Sequence, residues 1–292
     1  MPWIQAHLTV DKTRVPLIEL LFETLGAQAV ALGDAADEPM LEPGPGETPL
    51  WQATRVSGLF AGSTDADALR SALNQALGVD ASQSLRLEHL NDRDWERAWL
   101  DQFHPMRFGR RLWIRPTGHA IAQREAVVVD LDPGLAFGTG THPTTALCLG
   151  WLDSYDVRGL QIIDFGCGSG VLGIAALKLG AARVIAVDHD PQALMATRDN
   201  AMRNGVSDRI HVLNSAELAG QSVDVVLANI LANVLVELAP RILGLLQTGG
   251  HLAMSGVLKP QADEVIQAYA NAIDFAPMET QQDWVLLHGR RL

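Results

Sequence analysis

Apolar and polar positions alternate along residues 3–10 (WIQAHLTV), with Ile4, Ala6, Leu8 and Val10 on one face, the period of a half-buried strand. The period then lengthens. Over residues 14–25, Leu17, Leu20, Leu21 and Leu25 fall on one helical stripe, and Gly26 follows as a stop. A short strand at 29–32 leads into 34–49, where Pro39, Pro43, Pro45, Pro49, Gly44 and Gly46 mark a loop. A strand over 50–60 comes next. Ser63 or Thr64 is then placed to cap a helix running to Leu77, with Asp65 and Asp67 in its first turn, where the helix dipole favours acids. Alternation returns at 84–90. The order β-α-β-β-α-β predicts a small ferredoxin-like α+β domain over residues 1–90.

A helix is expected from Asp92 to Phe103, its Trp95, Trp99 and Phe103 forming one aromatic stripe, and residues 91–104 read as a helical linker. The texture changes from residue 105. Strands are expected at 112–115 and 126–131. A glycine-rich segment, 132–145 (DPGLAFGTGTHPTT), then enters a helix ending near Leu152. Buried strands and helices alternate after it: strands at 160–165, 183–188, 209–213, 223–228 and 251–257, helices at 171–179, 191–204, 232–246 and 261–272. Gly180 and Gly205 sit where helices stop. Such a pattern over 105–292 means an α/β domain, a parallel sheet with helices on both faces. Residues 283–288 are expected to add an antiparallel strand.

Composition narrows the classes. The 292 residues are 48% apolar and 19% charged, which excludes wholesale disorder. No apolar run is long enough for a membrane span, and the N-terminus lacks the basic-then-apolar pattern of a signal peptide. Two cysteines, Cys148 and Cys167, argue against a disulfide framework or a cysteine zinc site, so a cytoplasmic chain without metal is expected. The net charge of −12 is uneven. Residues 1–104 hold 7 Lys+Arg against 16 Asp+Glu, a net of −9; residues 105–292 hold 15 against 18, a net of −3. An acidic front third repels nucleic acid and attracts a basic partner, although solubility alone accounts for it equally well.

The chemistry gathers at strand ends. The strand ending Ile163-Asp164 is followed by Phe165-Gly166-Cys167-Gly168-Ser169-Gly170. Read from Gly168 through Gly170 to Gly173, the glycines satisfy the dinucleotide fingerprint. Read from Asp164, they describe another pattern, in which an acid precedes the first glycine. That acid would repel a pyrophosphate but can hold an ammonium or a fixed water. The next strand ends at Asp188, suited to the two hydroxyls of a ribose. A nucleoside with a charged amino-acid tail fits both acids, which points to S-adenosylmethionine. Cys167 and Ser169 read as small loop residues, with no nucleophile expected.

A later strand ends Ala228-Asn229-Ile230-Leu231-Ala232. The Asn229 side-chain oxygen can accept a hydrogen bond from a substrate amine; the competing reading is a turn or cap residue. Methyltransferases acting on nucleic-acid bases place an aromatic three positions on, for stacking. Here that position is Ala232, which favours an aliphatic amine. Thr141 or Thr144 is placed to cap the helix after the glycine-rich segment, with Pro143 in its first turn, and Thr144 or Thr145 can meet a carboxylate there. His142 reads as a hydrogen-bonding or surface residue.

Asp132–Thr145 (DPGLAFGTGTHPTT), Asp164–Gly170 (DFGCGSG) and Ala228–Leu231 (ANIL), in this order, resemble the bacterial methyltransferases of large-subunit ribosomal protein L11, the PrmA family. Pro2-Trp3-Ile4-Gln5, Pro45-Gly46-Glu47-Thr48 and Phe103-His104-Pro105-Met106 agree with that family too. The resemblance covers nearly the whole chain, and its first motif is the most specific. It implies a ferredoxin-like substrate-recognition domain, a helical linker and a Rossmann-like class I methyltransferase domain. It implies methyl transfer from S-adenosylmethionine to lysine side-chain amines and the N-terminal amine of that basic protein. Beside the resemblance, a cytoplasmic monomer not itself bound to nucleic acid or membrane is expected. By family pattern, Thr145, Gly166, Asp188 and Asn229 match cofactor-contacting positions; Asp164 and Gly168 join them from the loop reading, and Asn229 is the catalytic candidate. A nicotinamide-dependent oxidoreductase, a nucleic-acid methyltransferase and a non-catalytic binding module stay open as alternatives on residues alone. The first leaves Asp164 unexplained. The second lacks a stacking aromatic and a basic recognition domain.

Overall fold

The computed structural model describes residues 3–36, 50–78, 85–90, 104–116, 118–131, 142–218 and 220–292. The chain divides into two compact units, Met1–Trp99 and Leu100–Leu292. The expected linker helix over 92–103, most of the loop over 34–49 and the glycine-rich stretch 132–141 lie outside the described residues.

The first unit runs β1 (Trp3–Asp11), α1 (Val15–Thr24), β2 (Ala29–Asp34), β3 (Ala53–Ala61), α2 (Ala66–Leu77) and β4 (Arg86–Leu90). Its sheet order is β2-β3-β1-β4, with every neighbouring pair antiparallel. Each helix follows a strand and leads to another two places away, the connectivity of a split β-α-β. The alternation of β1 turns Ile4, Ala6 and Leu8 inward, where Val56 and Phe60 of β3 meet them. The Phe60 ring stands edge-on to Phe22 of α1 with centroids 5.7 Å apart.

Two local expectations are corrected here. The buried stripe of α1 is Val15, Ile18 and Phe22, while Leu17 and Leu20 are 48% and 61% exposed. Two apolar stripes share that window, and the large Phe22 ring, which fits the space beside Phe60, settles which one faces the sheet. The cap of α2 is Asp65 rather than Ser63 or Thr64: its Oδ1 accepts the N–H groups of Asp67 and Ala68.

The second unit opens with a small sheet of β5 (Met106–Phe108), β6 (Leu112–Arg115) and β7 (Val127–Asp130), followed by α3 (Pro143–Ser154). Then come β8 (Gln161–Phe165), α4 (Val171–Lys178), β9 (Arg183–Asp188), α5 (Pro191–Arg203), β10 (Ile210–Asn214), β11 (Val223–Asn229), α6 (Ala232–Glu237), α7 (Ala239–Leu245), β12 (Leu246–Leu258), α8 (Ala262–Tyr269), β13 (Ile273–Phe275), β14 (Glu279–Gln281) and β15 (Trp284–Arg291). The main sheet is ordered β10-β9-β8-β11-β12-β15-β13. Its strands run parallel except β15, which lies antiparallel to both neighbours, as expected of the last segment. Adjacent residues such as Ile162 and Ile163 are both fully buried, because α3, α4 and α5 cover one face and α6, α7 and α8 the other.

The helix expected over 232–246 is two helices, broken at Leu238, since Pro240 has no N–H to continue the ladder. The short strands β5, β13 and β14 had no legible pattern of their own; pairing with β6 and β15 creates them.

Candidate functional site

The order of the main sheet changes direction between β8 and β11, one running on to β9 and β10, the other to β12. Ligands of open α/β sheets bind at such a point, beyond the carboxyl ends of the strands. Register makes the place definite. Phe165 of β8 pairs with Val187 of β9 and Ala228 of β11. Gly166, Asp188 and Asn229 are each the next residue, so three of the residues singled out from sequence stand in one row along that edge.

The glycine loop then turns in a form that L side chains rarely adopt: Gly166, Gly168 and Gly170 have φ of 75°, 53° and 78°. A Cβ on Gly166 would come 2.2 Å from Cγ2 of Ile230. The N–H groups of Gly166 and Cys167 donate to the Val187 carbonyl at 2.8 and 3.0 Å, which ties the loop to β9. Gly173, which completes the dinucleotide spacing, has a packing role: its Cβ would meet Val184 at 2.9 Å and Asp164 at 3.1 Å, so it lets α4 lie close on the sheet.

Asp188 is buried, and three backbone N–H groups hold its carboxylate: Gly168 donates to Oδ2 at 3.0 Å, His189 and Asp190 to Oδ1 at 2.8 and 3.0 Å. Asp190, not Asp188, caps α5. Asp188 is thus a carboxylate fixed against the loop, with remaining lone pairs for a pair of hydroxyls. Asp164 lies deeper, at 1% exposure, and its Oδ2 accepts the Gly173 N–H at 2.8 Å. Burial pushes its carboxyl up to about 7, with the Asp188 charge adding to the shift and the Gly173 hydrogen bond opposing it. Cys167 is buried, and its thiol is pushed up by burial and by Asp164, so it stays neutral.

Across the row, Asn229 Nδ2 donates to the hydroxyl of the buried Thr145 at 3.3 Å, joining two predicted site residues 84 positions apart. The helix after Asn229 starts from Leu231, so Asn229 is not its cap. Among the described residues, none donates to the Asn229 side-chain oxygen. The cap of α3 is His142 rather than Thr144; its Nδ1 accepts the Thr144 N–H at 3.4 Å and lies 2.8 Å from the Thr144 hydroxyl. Burial lowers the His142 pKa, and its ring stands edge-on to Trp284, centroids 4.9 Å apart.

Sequence reasoning missed several residues that shape this edge. Ile230 is wedged between Gly166 and Gly256, whose Cβ would meet the Ile230 carbonyl oxygen at 2.3 Å. Trp284 arrives through the antiparallel return of β15; that strand is expected from the sequence, but its meeting with His142 has no local signal. Thr197 donates to the Gly168 carbonyl at 3.0 Å and Asn200 to that of Ser169 at 2.9 Å; polar residues at helical spacing facing a core were their one available signal. No cluster of metal-ligating side chains occurs among the described residues.

A sheet of this order with one reversed strand, and a glycine loop between two acid-bearing strand ends, define a Rossmann-like methyltransferase. The model of the family "Ribosomal protein L11 methyltransferase (PrmA)" matches residues 2–292. Ribosomal protein L11 methyltransferases of Hahella chejuensis and Vibrio cholerae are each 50% identical to the chain, over all of it and over 99% and 100% of their own length. The crystal structure of a ribosomal protein L11 methylase from Lactobacillus delbrueckii subsp. bulgaricus superposes with a TM-score of 0.60 at 33% identity, over 65% of this chain and 99% of that one. The chain belongs to the PrmA family of ribosomal protein L11 methyltransferases. It is a methyltransferase, and S-adenosylmethionine is its methyl donor. The loop fits that molecule. Its glycines leave no side chain between backbone and ligand, and Asp188 supplies acceptors beside it.

Proposed function

We propose that the chain transfers methyl groups from S-adenosylmethionine to lysine side-chain amines and the N-terminal amine of ribosomal protein L11, in the cytoplasm. Residues 1–90 serve as the substrate-recognition domain, 91–104 as the linker and 105–292 as the methyltransferase domain. The observation that carries the choice of acceptor is Asn229. It stands beside the glycine loop with its nitrogen engaged by Thr145, and the side chain three positions on is a buried alanine, Ala232, not a stacking aromatic.

Each residue has a defined part. Gly166 and Gly168 bring backbone to the cofactor, and Asp188 accepts its ribose hydroxyls. Asp164 supports the loop from beneath, through Gly173. Thr145 holds the Asn229 amide so that its oxygen accepts one amine N–H and aims the nitrogen lone pair. The bound cofactor supplies an activated methyl group. The amine must be neutral to attack it, although a free lysine has a pKa of about 10.4. Transfer from water into the crevice favours the neutral form, and bulk water takes the proton. Holding the reacting atoms about 3–3.5 Å apart supplies much of the rate.

The test is labelled-methyl transfer to purified L11, to L11 with its amines blocked, and to ribosomal RNA. Label is expected in unblocked L11 alone; label in RNA would overturn the acceptor assignment. Asn229→Ala should cut kcat about a hundredfold, within the range for one lost transition-state hydrogen bond, with the cofactor Kd far less affected. Asp188→Ala should raise that Kd, read by calorimetry.

A further inference from the structure

The inward stripe of α5 is polar at three places. Thr197, Asn200 and Asn204 are buried and spaced three and four residues apart, so they line one face from the middle of the helix to its end. Besides a contact of the Thr197 hydroxyl with the Cys167 thiol and of the Asn200 oxygen with Arg203, their hydrogen bonds run to the backbone of two separate parts of the chain. Thr197 and Asn200 hold the carbonyls of Gly168 and Ser169 in the glycine loop. Asn204 holds Asp130, the last residue of β7, in the manner of a neighbouring strand: Nδ2 donates to the Asp130 carbonyl at 2.8 Å, and Oδ1 accepts the Asp130 N–H at 2.8 Å. The same Nδ2 also donates to the Asn200 carbonyl at 2.8 Å, which joins the two halves. Residues 197 and 204 are about 10 Å apart along the helix axis, at 1.5 Å per residue.

An apolar stripe would cover the sheet without needing partners for three buried polar groups. What this polar stripe adds is orientation. In a trans peptide the carbonyl and the N–H point in opposite directions, so fixing the Gly168 and Ser169 carbonyls against α5 sets the planes of two peptides of the glycine loop. Asp130 precedes the segment that leads to Thr145, which in turn engages Asn229. The glycine loop and the end of β7 are therefore anchored to one helix. We propose that Thr197, Asn200 and Asn204 are positioning residues, holding the glycine loop and the end of β7 in one rigid frame so that cofactor and amine are aligned together. This rests on the assignment of the cofactor to the glycine loop and of the amine to Asn229.

The test uses the full chain, with S-adenosylhomocysteine as the binding probe. Thr197→Val keeps the shape and removes the hydroxyl; it should raise the calorimetric Kd about tenfold, whereas Thr197→Ser, which retains the donor, should stay within about twofold of wild type. Asn204→Asp keeps the acceptor for the Asp130 N–H and loses both donations. It should lower kcat on L11 about tenfold at saturating cofactor while the Kd moves less than about threefold. Hydrogen exchange reads the frame without turnover. In the wild type, S-adenosylhomocysteine should slow exchange in both 166–170 and 127–131; in Asn204→Asp the first protection should remain and the second disappear. Should Asn204→Asp fail to fold, Asn204→Ser is read by the same exchange experiment. If the variants lower Tm alone, with Kd, kcat and exchange as in wild type, the stripe is packing and the proposal is overturned. A wild-type chain that did not bind S-adenosylhomocysteine would overturn the cofactor assignment as well, so the two failures are distinct.

Discussion

Asp164 is a residue whose place the sequence indicated and whose surroundings it did not. An acid at the end of the strand before a glycine loop reads as a group that can hold an ammonium or a fixed water. The structure turns its carboxylate toward the Gly173 N–H and buries it beneath the loop. Burial raises its folded pKa to about 7, well above the ordinary carboxylate range. The sign follows from proton binding. Between pH 4 and 7 the folded chain keeps a proton that the unfolded chain has released, so stability falls as pH rises through this window. Asp164→Asn, whose amide oxygen can still accept the Gly173 N–H, removes that dependence. Thermal melts from pH 5 to 8 should show a flatter Tm profile for the variant than for wild type, and parallel profiles would contradict the assignment.

At the scale of elements, periodicity named most strands and helices but did not choose their faces. In α1 the leucines at 17, 20, 21 and 25 suggested one stripe, and packing buried Val15, Ile18 and Phe22 instead. A helical wheel records where apolar side chains lie, while the partner surface decides which of them fit. Phe22 and Phe60 fill that surface, and a Cβ on Gly58 between them would come 2.6 Å from the Phe22 ring. Phe22→Ala should therefore destabilise the first unit by about 3–5 kcal/mol, the usual cost of emptying an aromatic site in a core. Calorimetry of the full chain should show an earlier transition for that unit. S-adenosylhomocysteine binding should persist, because the glycine loop belongs to the other unit. Loss of cofactor binding together with the first transition would show that the two units unfold as one.

For the whole molecule, the charge distribution is the property with a measurable consequence. Residues 1–104 carry −9 of the total −12. In the proposed function this acidic segment meets a basic protein, and complementary charge speeds encounter and sets orientation. The Debye length shrinks from about 30 Å at 0.01 M salt to about 8 Å at 0.15 M, so steering of this kind weakens steeply. The KM for L11 should rise several-fold between these salt concentrations while kcat stays nearly constant. A flat KM would leave the acidity to solubility.

By itself the sequence determined the succession of elements, the β-α-β-β-α-β order of the first unit, the α/β alternation of the second, and the residues at the strand ends, because hydrophobic period, glycine and proline act over a few neighbours. Its motifs also carried the family resemblance that the full-length match bears out. Only the tertiary structure decided the rest. Strand register sets Gly166, Asp188 and Asn229 in one row; chain return brings Trp284 to His142; and three polar side chains on α5 reach Gly168, Ser169 and Asp130. Contacts such as Thr145 with Asn229 join residues 84 positions apart. No local pattern encodes such pairs, since they exist only once the sheet has set which strand ends are neighbours.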